Sequence, residues 1–129
     1  MKYVCLGYYN EKSFQALPQA EQDSLVQACF AYDDHLKRNG HFLDGVALQG
    51  ADTAMTVRGR NGKAVVTDGP YAETKEVLGG ILVMEADDLN HAVQLMSKHP
   101  GLAFGFFEIR PMDEVITARA KTRLTQEVA

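Results

Sequence analysis

The chain has 129 residues, 46% hydrophobic and 23% charged, a composition that supports one globular domain with a single core. Asp and Glu number 17 against 13 Lys and Arg, and the resulting net charge of −4 argues against broad binding to a phosphate backbone, so no direct nucleic-acid partner is expected. No apolar run approaches the length of a membrane span, and the one after Met1-Lys2 is too short for a signal peptide, so a cytoplasmic protein without a membrane partner is expected.

Lys2 to Tyr8 reads as a strand, since Tyr3, Val4, Cys5, Leu6 and Tyr8 are apolar without a helical stripe. Residues 9–18 lack a period and contain Pro18, which predicts a loop with one turn at most. From Gln19 to Asn39 the pattern becomes helical. Leu25, Cys29, Tyr32 and Leu36 form the stripe, Val26 and Phe30 widen it, and Asn39-Gly40 stops it. Phe42–Leu48 and Thr53–Arg58 are strand candidates, and Asn61-Gly62 predicts a tight hairpin turn into Lys63–Thr67. A further strand runs over Gly79–Glu85. Ala86-Asp87-Asp88 then opens a second helix whose buried stripe is Leu89, Ala92, Val93 and Met96, and His99-Pro100-Gly101 ends it. Phe104–Arg110 is the last strand. Residues 1–112 make up the expected domain, and 113–129 read as a polar tail or a frayed helix.

This order predicts an α+β sandwich of ferredoxin-like type. The last two strands are apolar on both faces: Ile81 and Val83 oppose Leu82 and Met84, and Phe104 and Phe106 oppose Phe107 and Ile109. Two helices cover only one face. The other needs a second copy of the sheet or, alternatively, the C-terminal segment folded back over it.

The chemistry concentrates in Thr67-Asp68-Gly69-Pro70-Tyr71-Ala72-Glu73-Thr74-Lys75-Glu76, which is longer and more polar than a strand connector requires. Asp68-Gly69-Pro70 is expected to be an ordered turn. Cys5 and Cys29 lie in apolar patterns and are expected to be buried structural thiols. The histidines His35, His41, His91 and His99 are scattered, so neither a metal site nor a cofactor is expected, and Gly79-Gly80 opens a strand rather than a phosphate-binding helix.

The segment Asp68–Glu76 with Gly79-Gly80 resembles the signature of the DGPF group of the YCII-related family, with Tyr71 in place of the usual Phe. The resemblance continues through Glu85-Ala86, Asp88-Leu89 and His99-Pro100-Gly101 to Glu108-Ile109-Arg110-Pro111. It implies a homodimer whose paired sheets form a dimeric α/β barrel. It also implies a catalytic helix histidine, matched here by His35, paired with an aspartate. The family's Asp-Pro after the second helix is His99-Pro100 in this chain, so Asp68 is the expected substitute.

Two functions follow. One is a binder of a small polar or aromatic-derived ligand between the paired sheets. It would use Tyr71, Glu73, Lys75, Tyr8 and Phe106 and act as an accessory to a sigma-factor partner. The other is a cofactor-independent lyase or isomerase using His35 and Asp68, in a cavity lined by Tyr3, Tyr8, Phe104 and Phe106.

Overall fold

The computed structural model describes residues 1–128, with side chains through residue 123. Its strands are β1 (Lys2–Asn10), β2 (Phe42–Ala47), β3 (Met55–Arg60), β4 (Lys63–Asp68), β5 (Glu76–Glu85) and β6 (Gly105–Pro111). Its helices are α1 (Glu11–Gln15), α2 (Gln19–Arg38), α3 (Leu89–Met96) and α4 (Glu114–Val128).

Four strands form one antiparallel sheet in the order β2-β5-β1-β6, while β3 and β4 pair separately as a two-stranded ribbon. With the ribbon set aside, β1-α2-β2-β5-α3-β6 is the ferredoxin-like sandwich expected from the element order. A single chain leaves this sheet open and closes no barrel.

The alternation of the strands assigns the faces. Tyr3 and Cys5 of β1 and Leu82 and Met84 of β5 point toward the helices, where they meet Leu36 of α2 and Ala92 and Met96 of α3. These form the core, with Tyr32, Phe42, Leu95, Phe107 and Ile109 packed around it. Cys5 is buried as expected, and burial pushes its thiol pKa up to about 11. Of the stripe expected on α3, Leu89 and Val93 stay 44% and 45% exposed, and that helix packs through Ala92, Leu95 and Met96 instead.

The ribbon turns as the Asn61-Gly62 pair predicts. Both residues have positive φ, 52° and 77°, the left-handed geometry a two-residue hairpin needs. The Asp68-Gly69-Pro70 turn is ordered as well. Gly69 has φ +89°, its N–H donates to the Ala54 carbonyl at 2.7 Å, and its carbonyl accepts from the Thr56 hydroxyl at 2.8 Å. The signature therefore closes the base of the ribbon and returns the chain to β5.

From residue 113 onward the described residues take the helical alternative rather than the tail: Asp113 accepts a hydrogen bond from Ile116 N–H at 2.9 Å and starts α4. Val115 and Ile116 in its first turn are 71% and 55% exposed, so they do not serve as the cover for the sheet. Phe104 is not in β6 but caps the short 3₁₀ turn Pro100–Ala103, and it packs edge-on against Phe14 of α1, on the helix side. Finally, the N-terminal half of α2 does not lie on the sheet. Leu36 is fully buried, whereas Val26 and Phe30 are 37% and 57% exposed.

Candidate functional site

Because α2 packs at its C-terminal end and stands away at its N-terminal end, a cleft of about 710 Å³ opens between it and the sheet. Its floor consists of absent side chains. Gly7 of β1 pairs with Gly80 of β5, and Ala47 of β2 lies across from Gly80. Aromatic rings occupy neighbouring glycine sites. A methyl group on Gly45 would sit 2.7 Å from Phe42, one on Gly79 2.6 Å from Tyr9, and one on Gly7 3.0 Å from Phe107. The rings lie flat where a Cβ would otherwise stand, giving an apolar slot. Leu25, Val26, Cys29 and Phe30 of α2 roof it.

Into this apolar wall the fold inserts one charged pair. His99 Nε2 and Asp33 Oδ1 lie 3.0 Å apart, with His99 only 8% exposed. Asp33 comes from the α2 face that carries Cys29, one turn earlier. His99 comes from the entry to the Pro100–Ala103 turn, where its Nδ1 accepts the Gly101 N–H at 3.0 Å. That bond requires a lone pair on Nδ1, so the neutral ring carries its proton on Nε2 and donates it to Asp33. Two rings hold the imidazole edge-on: Tyr32 at 5.4 Å and Phe107 at 4.9 Å between centroids. The Tyr32 hydroxyl is itself latched to the Leu95 carbonyl.

Burial lowers the His99 pKa, but the hydrogen bond and charge of Asp33, helped by the Cys29 thiol, outweigh it and push the value up to about 9. A second proton would enter at Nδ1 and release the Gly101 N–H. Protonation of His99 is thus coupled to the turn that positions it. The remaining oxygen of Asp33, whose side chain is 25% exposed, is the basic atom available to the cleft.

Of the site residues singled out from the sequence, Tyr8 and Phe104 border this cleft and the others lie elsewhere. His35 is exposed on α2, with Asn39 Nδ2 3.4 Å from its Nδ1. Asp68 is exposed at the end of β4, and no hydrogen bond or ion pair joins it to His35 among the described residues. Tyr71 is 78% exposed, and its carbonyl accepts from Arg58 at 3.0 Å. Glu73 and Lys75 are exposed in the same loop. Tyr8 and Phe106 do meet, stacked at 5.0 Å, with Phe106 48% exposed on the face away from the helices. Tyr3 is buried in the core and does not line that face. Cys29 is only partly buried and lines the cleft, contrary to the expectation of an inert core thiol.

Asp33 escaped the sequence reading. Its signal was an acidic residue four positions after Cys29 and three before Leu36, on the edge of an apolar stripe. His99 was visible only as a departure from the expected Asp-Pro. The structure resolves that departure by exchange, with the imidazole on the loop and the carboxylate on the helix.

The chain belongs to the YCII-related family, whose domain model matches residues 1–116. An uncharacterized protein of Rhizobium meliloti (strain 1021) is 28% identical over 116 residues, covering 87% of this chain and 92% of that protein. Among solved structures, the chain is similar to 5-chloro-2-hydroxyhydroquinone dehydrochlorinase from Burkholderia phenoliruptrix AC1100 in complex with 2,5-dihydroxybenzoquinone. The TM-score is 0.55 at 16% identity, covering 88% of this chain and 94% of the other. At that identity the likeness shows the fold alone, the α+β sandwich described above. Among the described residues no helix is long and apolar enough to cross a membrane, and no cluster of three or more ligating side chains could hold a metal ion.

Proposed function

We propose that the cleft beneath α2 binds a small planar ring compound and that Asp33 and His99 carry out acid–base chemistry on it without a cofactor. The observation that carries this reading is the 3.0 Å His99–Asp33 pair set in the wall of a largely apolar slot. The apolar walls leave the carboxylate oxygen as the polar acceptor that faces a bound ring. Asp33 presents its free oxygen to the ligand and takes a proton from it. His99, held by Gly101, Tyr32 and Phe107, fixes the carboxylate and stabilises its charge. Returning that proton to another ring atom gives an isomerisation; departure of an anion from the neighbouring carbon gives an elimination. The dehydrochlorinase neighbour, solved with a dihydroxybenzoquinone, supports a ring substrate of this kind.

A second reading, binding without turnover, draws on the same geometry. Both His99 nitrogens are already engaged, by Asp33 and by Gly101, so the ring has no free atom for the ligand.

Exchange of the ring protons of 2,5-dihydroxybenzoquinone for solvent deuterium separates the two, because exchange requires one proton to be delivered and another removed. Acceleration by the protein, lowered about 10²–10⁴-fold in Asp33→Asn, is the enzymatic outcome. Saturable binding with no acceleration assigns the protein as a binder, and neither effect overturns both readings.

Pairing of two chains through the outer sheet face completes the proposal. Val46 and Phe106 on that face are 55% and 48% exposed, and Val4, Leu6, Ile81 and Val83 between them are only partly covered.

A further inference from the structure

The cleft contains one cation whose role the acid–base pair leaves unexplained. Lys37 lies one helical turn beyond Asp33 on α2 and lines the same cleft. At four-residue spacing Asp33 and Lys37 would ordinarily form an ion pair. They do not, because Asp33 is turned to His99, and among the described residues Lys37 has no carboxylate within ion-pair distance. Its Nζ sits instead 4.7 Å above the centre of the Phe42 ring. That ring, lying across Gly45, is itself a wall of the slot. Asp34 also lines the cleft but is exposed and does not reach Lys37. The ammonium is therefore steered over the slot by an apolar partner and keeps its charge unneutralised.

We infer that Lys37 is an anion subsite, so the ligand of this cleft is a planar ring acid that places its anionic group on Lys37 and its reacting proton on Asp33. This rests on the reading of Asp33 as the base and adds the substrate class to it. Four residues of helix rise about 6 Å. The anionic group and the acidic position therefore stand at opposite ends of one ring, not on adjacent atoms. A carboxylate and an ionised ring hydroxyl satisfy the subsite equally, since Lys37 acts as a point charge. Asp34 repels an anion elsewhere in the cleft, which fixes the orientation.

The test uses two probes of the same shape and different charge, 4-hydroxybenzoate and 4-hydroxybenzamide, titrated at pH 7.5 and followed by amide chemical shifts. The wild-type protein should bind the benzoate at least tenfold more tightly than the benzamide. Lys37→Met should abolish that preference and leave benzamide affinity unchanged, and Lys37→Arg should retain it. Asp33→Asn should keep the preference, because it leaves Lys37 in place. Equal affinities in the wild type, a preference that survives in Lys37→Met, or no binding of either probe would overturn the inference. Deuterium exchange reports on Asp33 and probe preference on Lys37, so failure of the base and failure of the subsite give different results.

Discussion

Replacing Asp33 with Asn tests the charged pair through stability, independently of any substrate. The amide keeps an oxygen that can accept the His99 Nε2–H, so the neutral hydrogen bond survives while the charge is lost. In the wild type the folded-state pKa of His99 stands at about 9, above its ordinary 6.5. The interaction is therefore fully present below about pH 6.5 and is lost as pH rises through about 9. A rise of that size corresponds to about 3 kcal/mol. That figure is the net difference between the two protonation states, with the release of the Gly101 hydrogen bond already included. In Asp33→Asn, burial is no longer opposed by a carboxylate and this contribution disappears. Urea unfolding of both proteins at pH 6 and pH 9.5 measures it, since comparing the two gaps cancels other titrating groups. The wild type should exceed the variant by roughly 3 kcal/mol more at pH 6 than at pH 9.5. A gap that does not change with pH would show that Gly101 keeps His99 neutral throughout, and the coupling described above would be wrong.

Three further outcomes follow from the packing. Phe106→Glu should leave the thermal midpoint of the chain within about 3 °C, since the side chain faces away from the core, and should shift light scattering toward a single chain of 14.2 kDa. An unfolded variant would instead place Phe106 in the core. Tyr32→Phe removes the latch to the Leu95 carbonyl but keeps the ring against His99, and should cost about 1 kcal/mol in chemical unfolding. His35→Gln should stay within about 0.5 kcal/mol of the wild type and leave deuterium exchange unchanged; loss of exchange would return the catalytic role to His35.

Much of the fold was legible because local rules wrote it. The Asn61-Gly62 turn, the stop at Asn39-Gly40 and the Asp88 cap of α3 each depend on residues a few positions apart. The alternation of Leu82 and Met84 against Ile81 and Val83 likewise set the two faces of the sheet. What failed was decided at long range. The stripe of α2 predicts burial along the whole helix, yet Val26 and Phe30 face a floor of glycines with nothing to fill the space. Phe104 shares the parity of Phe106 in the sequence, and only the turn before Gly105 sends it to the other side. The site depends on a contact between residues 66 positions apart. No periodicity encodes that contact, which sets a carboxylate on the helix and an imidazole on the loop.

The glycine floor also separates two ways in which relatives of this chain could diverge. A methyl group at Gly80 would meet only the Val46 carbonyl oxygen, at 3.1 Å, and would otherwise rise into open space. Such a change trims the slot and alters which rings fit, leaving the proton machinery as it stands. A methyl group at Gly7, one hydrogen-bonded step across the sheet, would instead press on Phe107 at 3.0 Å, and that ring braces His99. Selection for a new ligand can therefore act at Gly80 alone, while drift at Gly7 disturbs the imidazole whatever the ligand is.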